Sequence, residues 1–401
     1  MKKHVPILVC ALALLVVTSS AHIDKASKDS KGEEVQRTPV GEFDLQRNVV
    51  SNLDFYTTNY GIFGYNVSSQ VGGTFWPRGK RNQYIFAGGA WFAALKRPPG
   101  SSELRKRVMI TYNPNSGQSW MIPGSIDDGT ALDRSPEAVQ KYRTYFQPDF
   151  STADGTDFQN PTYPTWPIWD TSPSDTLRIN NYYGYYVNDI TQRNRASYQK
   201  GPAFVSDEDV FCVYKDTDLS RYEGGVQRRT SEGFPLGFQI EQMIYSWGFG
   251  DYADMIFLKY MFIHPKQYTD TLYQCWMAAV MDVDIALATN PVGGAANDRA
   301  RYYTEEDSLN LAVQWTNGDR GETNQGFGYL GFNFLESPAV DADGFLRKDK
   351  KQFPVSEQLG LRTFRNWPIT VDPIENEDRY NFMSSGQQDG DDGPGDRRML
   401  M

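Results

Sequence analysis

An all-β fold, an antiparallel β-sandwich of one large unit or two joined ones with a few short helices, follows from three observations. Glycine and proline supply 57 of the 401 residues, which suits frequent turns. Between those turns, short apolar runs recur, several with a period of two. No alternation of strand and helix patterns exists that would build a parallel sheet. The 39% hydrophobic and 22% charged composition belongs to a chain that buries a core.

The elements follow in chain order. Lys2-Lys3, the eleven apolar residues Ile7 to Val17, and Ser19-Ser20-Ala21 make residues 1–21 a secretory signal. The run is too short to span a bilayer, and Cys10 lies within it rather than behind a small residue at its end, so lipidation is not expected. No later stretch approaches the roughly 18 apolar residues of a spanning helix, so no membrane span remains after cleavage. Residues 22–46, rich in Lys, Ser, Asp and Glu, read as a solvated, disordered linker. Residues 47–375 form the β-rich domain, with a sub-boundary near residue 200. Residues 376–401 read as an acidic loop and an incomplete strand.

Within the domain, Tyr84–Lys96 reads as one buried strand with an irregularity at Gly88-Gly89. Ser135-Pro136-Glu137 supplies a cap, an N1 proline and a first-turn acid, which predicts a helix over 136–146. Ser206 with Asp209 resembles a capping box and predicts a short helix over 207–215. The clearest region is Leu236–Ile285. Its three apolar segments, broken at Gly248–Asp251 and at His264–Thr271, predict a three-stranded antiparallel meander. The near-continuous apolarity of Met255–Ile263, interrupted by Lys259, places that strand at the centre of its sheet. Leu309–Trp315 and Gly326–Leu335 are further strands.

Composition narrows the chemistry. The chain has three histidines; His4 and His22 lie in or beside the leader, which leaves His264. Multi-histidine zinc sites and two-histidine mechanisms are excluded. Loss of Lys2 and Lys3 with the leader moves the formal net charge from −10 to −12, and no basic concentration suits nucleic acid. Cys212 and Cys275 remain; an oxidising compartment allows them to pair, and two buried free thiols fit their apolar surroundings equally well.

Few motifs rise above turn chemistry. Gly248-x-Gly250-x-x-Ala253 matches a dinucleotide fingerprint, yet a β pattern follows where a helix N-terminus is needed, so it reads as a turn. Asp341-Ala342-Asp343-Gly344 starts like a calcium loop but has Gln352 at the bidentate position, and also reads as a turn. Asp389-Gly390-Asp391-Asp392-Gly393 reads as an acidic loop.

Two sets of site residues remain. Alternation at the end of the third meander strand puts Asp282 and Asp284 on one face, about 7 Å apart by strand rise. With Asp298 downstream they form a candidate Ca2+ site, because Ca2+ gathers about six to eight oxygens. Trp166, Trp169, Tyr183 and Tyr185 lie in dense aromatic segments, and such rings stack on sugar faces. Most of the 56 aromatics serve as core and cross-strand pairs instead. A polysaccharide hydrolase would need two carboxylates about 5–10 Å apart across a cleft. Glu241, Asp282 and Asp284 are the candidates, and no spacing singles them out.

Several stretches resemble one family. They are Asn59-Tyr60-Gly61, Phe75-Trp76-Pro77-Arg78-Gly79, Gly88-Gly89-Ala90-Trp91-Phe92, Trp166-Pro167-Ile168-Trp169-Asp170 and Ser206-Asp207-Glu208-Asp209. Asp282-Val283-Asp284, Gly328-Tyr329-Leu330-Gly331 and Asp391-Asp392-Gly393-Pro394-Gly395-Asp396 complete the set. Over residues 48–401 the chain is similar to long, secreted, uncharacterised proteins of Bacteroidetes, Ignavibacteria and related bacteria, many of which end in a type IX secretion sorting domain. The resemblance implies export and residence outside the cell, and it implies no reaction. It departs from the family after Asp284, where Ala286 follows Ile285 and the next acid is Asp298. Similar chains continue past the point where this one stops, so the resemblance leads to the expectation of a truncated product or gene fragment lacking the sorting domain.

The expectation is therefore an exported β-sandwich of the cell surface or extracellular space, with a structural, adhesive or assembly role and no catalysis. Its partners would be glycans or other surface proteins. A glycan-binding module is the first alternative and a hydrolase the second.

Overall fold

The computed structural model describes residues 14–17, 41–146, 168–170, 200–202, 206–221, 228–265, 267–303, 310–318, 320–345, 354–390 and 393–401. Residues 22–40 of the expected linker lie outside these residues, and its end is corrected: Asp44 is buried and Leu45–Gln46 pair with Thr58–Thr57. Among the described residues the protein is all-β, with several antiparallel sheets and few helices.

In chain order the strands begin with β1 (Leu14–Val17), β2 (Leu45–Arg47), β3 (Tyr56–Thr58), β4 (Tyr65–Asn66), β5 (Val71–Gly72) and β6 (Thr74–Phe75). β7 (Asn82–Ile85), β8 (Ala87–Lys96), β9 (Arg105–Ile110) and β10 (Ile122–Pro123) precede helix α1 (Pro136–Lys141). β11 (Tyr145–Phe146), β12 (Ile168–Asp170), β13 (Lys200–Pro202), β14 (Glu208–Lys215), β15 (Gln239–Ser246), β16 (Ile256–Ile263), β17 (Tyr273–Val283) and β18 (Ala286–Leu287) lead to α2 (Pro291–Ala295). β19 (Asp298–Tyr302), β20 (Leu311–Thr316), β21 (Tyr329–Asn333), β22 (Arg365–Pro368), α3 (Asn376–Met383) and β23 (Arg397–Leu400) complete the chain.

Three sheets dominate. The first runs β10-β14-β15-β16, with β11 also on β14; the second runs β22-β23-β17-β8-β9; the third runs β1-β21-β20-β19. Register explains how the first buries one face. Val210, Cys212 and Tyr214 stand opposite Ile244, Gln242 and Ile240, which stand opposite Leu258, Tyr260 and Phe262. Gln242 is buried in this row, and the Tyr214 hydroxyl donates to its Oε1 at 2.7 Å. Cys212, Tyr214 and Ile240 meet Phe92, Ala94 and Met109 of the second sheet. Val210, Ile244 and Leu258 meet Met281 and Val283, and Ala300, Ala312 and Leu330 of the third.

The second sheet is covered on both sides, which accounts for the burial of β8 at every residue but Leu95. Phe92 and Ala94 face the first sheet, while Trp91 and Ala93 join Val108, Val280, Leu400, Trp367, Tyr380 and Met383 beneath α3. Glycine at 88 and 89 is required by close approach. A Cβ on Gly88 would lie 2.5 Å from the Phe63 ring, and one on Gly89 would lie 2.3 Å from Thr111 Oγ1.

Several local expectations are corrected. Tyr84–Lys96 is divided at Phe86, so that β7 pairs with β6 and β8 with β9 and β17. The 136–146 helix has its Ser135 cap, whose Oγ accepts from the Ala138 amide at 3.2 Å, but it ends at Lys141, and Tyr145–Phe146 pair with β14. Residues 208–215 are a strand. The Ser206 amide does donate to Asp209 Oδ1 at 2.7 Å, but the β-branched and aromatic run Val210–Tyr214 is buried in a sheet centre, where it pairs with β15. Within the acidic segment from residue 376, α3 occupies Asn376–Met383.

The meander is a hairpin only. β15 and β16 pair, but β17 crosses to the second sheet, and β16 is the edge of the first rather than its centre. Tertiary contacts of the connecting loop send β17 away. His264 Nδ1 lies 3.0 Å from the Gly237 carbonyl, and the Tyr268 ring occupies the space where a Cβ on Gly237 would stand. Lys96 of β8 then ties Asp270 of this loop to the second sheet at 3.1 Å. Gly250–Asp254 forms a 3-10 turn between two antiparallel strands, in keeping with the turn reading of the glycine motif. Asp341 Oδ1 accepts from the amides of Asp343 and Phe345, which makes that segment a turn as well.

No helix among the described residues is long and apolar enough to cross a membrane. Cys212 is buried and Cys275 is exposed, and the two are unpaired; this removes both the disulfide and the pair of buried thiols.

Candidate metal centre

The site forms where β17 and β23 end side by side. Their register pairs Asp282 with Arg398 and Val283 with Arg397. Extending it by one residue sets Asp284 against Asp396. Alternation then puts Asp282, Asp284, Asp396 and Arg398 on one face. Oxygens of Asp282, Asp284 and Asp396 lie within 4.8 Å of one another. Asp282 is 3% exposed, whereas Asp284 and Asp396 are half-buried and leave the site one side toward water.

Neighbouring elements hold these carboxylates in place. The Tyr112 hydroxyl donates to Asp282 Oδ2 at 2.9 Å, and Arg398 Nη2 donates to the same oxygen at 3.1 Å. Arg398 Nη1 donates to Asp396 Oδ1 at 2.7 Å, and its Nε lies 3.3 Å from Asp372 Oδ1. Trp367 Nε1 donates to that Asp372 oxygen at 2.6 Å.

Asp298 starts β19 and fastens both sides of the cluster. Its Oδ2 accepts from the Ile285 amide at 2.8 Å and from Gln314 Nε2 at 3.1 Å, and its carbonyl accepts from the Gly395 amide at 2.9 Å. It therefore grips the residue after Asp284 and the residue before Asp396. It stands beside the three-oxygen group rather than within it.

Negative charge is in excess here. Asp282, Asp284, Asp372 and Asp396 act on the guanidinium of Arg398, Asp298 adds a fifth carboxylate beside Asp284, and Arg379 reaches Asp372. Burial pushes Asp282 up to about 7 despite the opposing charge of Arg398. Burial, reinforced by Asp282 and Asp396, pushes Asp284 well above the usual carboxylate range. Burial pushes Asp298 up to about 8, against the hydrogen bonds from Ile285 and Gln314. For Arg398, burial is outweighed by Asp282, Asp372 and Asp396, which raise it. Oδ1 of Asp282, of Asp284 and of Asp298 is buried without a hydrogen-bond partner among the described residues. Such oxygens need either protons or a cation.

A hard divalent cation fits this donor set. All the donors are carboxylate oxygens, and two oxygens on opposite sides of a Ca2+ ion with bonds of about 2.4 Å stand about 4.8 Å apart. The sequence reading found Asp282, Asp284 and Asp298 and missed Asp396. The signal for Asp396 was its position just ahead of the short strand pattern at Arg397–Met401, but pairing of that strand with β17 is not written in either segment.

The other candidate residues are dispersed. Trp166, Tyr183 and Tyr185 lie outside the described residues, as does the side chain of Trp169, whose backbone pairs with Gly201. Glu241 belongs to β15 of the first sheet, whereas Asp282 and Asp284 lie at the end of β17 in the second. Asp389 is bound to Arg365 at 2.9 Å. Searches against protein families, curated proteins and solved structures returned no match to this chain.

Proposed function

We propose that this is an exported β-sandwich protein of the extracellular space or cell surface, structural, adhesive or assembling in role, stabilised by Ca2+. Asp282, Asp284 and Asp396 would hold the ion, with Asp298 positioning them and water completing the shell. Bound there, the cation would neutralise the excess carboxylates and join β23 to β17. The observation that carries this reading is the buried Oδ1 of Asp282, Asp284 and Asp298, each without a partner among the described residues, beside the Asp282, Asp284 and Asp396 cluster. A hydrolase is less suited, because oxygens within 4.8 Å leave no room for a sugar between them. Calcium titration followed by calorimetry and thermal melting tests the proposal. Binding by the parent chain and its loss in Asp284→Asn are expected; a melting temperature indifferent to both calcium and chelator would remove it.

One observation supports the glycan-binding alternative at a different place from the sequence candidates. In the β15–β16 turn, Phe249 and Tyr252 are 58% and 41% exposed, and Tyr252 stands beside both Phe249 and Trp247. A glycan array on the parent and on Phe249→Ala/Tyr252→Ala decides it: binding that persists in the variant rules this platform out.

A further inference from the structure

The third sheet begins with residues that an exported chain would shed. β1 lies within the predicted leader and pairs antiparallel with β21, Leu14 opposite Phe332 through Val17 opposite Tyr329. Its Cα atoms also come within 8 Å of the Gly250–Asp254 turn and of β16, the edge of the first sheet. One apolar strand thus lies along a groove between the edges of two sheets.

Without β1, β21 would present an open row of backbone donors and acceptors. Edge strands are usually protected by charge, proline or a bulge. β21 reads Tyr329-Leu330-Gly331-Phe332-Asn333, with none of these, and pairs with β20 without a register shift. Leu330 and Phe332 point into the main core, so the strand is rigidly seated. β16 carries one charge, Lys259, in eight residues.

We infer that the groove between β21 and β16 is a strand-accepting site whose partner is an extended, uncharged, apolar segment of another protein. The leader fills the site before processing. This rests on the export reading above. The chemistry of the occupant is given by the four residues seated there, Leu-Leu-Val-Val, and by the absence of charge on β21. Main-chain hydrogen bonds would supply affinity and the alternate side chains selectivity.

Amide hydrogen exchange at Tyr329 and Gly331 tests the site, using the full chain and the chain recovered after export; these two amides face β1, whereas Leu330 and Phe332 bond to β20. The probe is a peptide of residues 11–20 with a solubilising lysine tail. Exchange at these amides should be slow in the full chain and faster after processing, and the peptide should slow it again roughly tenfold. A peptide carrying Leu15→Pro, opposite Gly331, should bind at least about tenfold more weakly, since proline removes a donor and cannot complete the ladder. Exchange in the processed chain that ignores the parent peptide overturns the proposal. So does protection without peptide in a processed chain that sediments as a dimer, which would assign the edge to a second copy. An intact residue 1 by mass spectrometry would defeat the export reading alone. In that case Leu15→Pro within the full chain must speed exchange at the same amides, or the strand-accepting site falls too.

Discussion

Two groups of buried aspartate show what burial alone does not decide. Asp216 is 1% exposed, and desolvation raises its pKa just as it does for Asp282. Asp216, however, accepts from the amides of Leu236, Gly237 and Phe238 at 2.9, 3.1 and 2.8 Å. Its charge is met by the backbone of the strand that enters the first sheet. At the β17–β23 end, Asp282, Asp284 and Asp298 each retain a buried oxygen without a partner, and their neighbours are further carboxylates. The first arrangement is complete within the chain. The second needs protons or a bound cation, and a divalent cation can satisfy several such oxygens together.

The largest expected effect separates these cases. Asp216→Ala should cost at least about 3 kcal/mol by chemical denaturation, since three buried amides lose their acceptor. The loss should be the same with calcium and with chelator. A calcium-dependent loss would mean that the two regions are coupled.

Next comes Asp284→Asn. The parent should gain about 2.7 kcal/mol at a calcium concentration a hundred times Kd, seen as a rise of a few degrees in melting temperature. The variant should show almost none of this gain. In chelator it should be no less stable than the parent, because one repelling carboxylate has gone. A variant that is severely destabilised in chelator would make Asp284 a structural anchor rather than a ligand.

The pH response is smaller and sharpens the same point. Asp282 and Asp298 are raised in the folded, cation-free protein to about 7 and about 8. Groups raised in this way favour the fold below their ordinary carboxylate values and withdraw that support as pH climbs through the folded values. Cation-free stability should therefore decline between about pH 4 and pH 8. Calcium affinity should rise over the same window as protons are displaced. Stability in chelator that is flat across this window would show the carboxylates to be neutralised by other means.

The smallest effect is the control. Asp343→Ala, in the exposed turn that begins like a calcium loop, should change stability by less than about 0.5 kcal/mol and leave the calcium response intact. An altered response would move the site to that turn.

Much of this fold is legible from the chain. The alternation of β15 and the burial of β8 follow from residue order, as does the Ser135 cap. So does the placement of Asp282 and Asp284 on one face, since a period of two fixes it once the strand is recognised. Legibility ended where local signals met long-range partners. Ser206 and Asp209 make the hydrogen bond of a helix start, but the apolar residues after them are claimed by β15. The apolarity of β16 reads as a sheet centre, yet the strand is an edge whose uncovered side is approached by β1.

Sequence by itself determined the all-β class, the turn nature of its glycine motifs and two of the three clustered carboxylates. These depend on periods and residue types within a few positions. The tertiary structure decided that β17 leaves β16 for the second sheet and that β23 lies beside β17. It thereby brought Asp396 to Asp284 across more than a hundred residues. Strand pairing is set by which apolar faces close on one another, by loop anchors such as His264 on Gly237, and by the approach of Phe63 that Gly88 permits. Those are properties of the packed whole, and no local pattern encodes them.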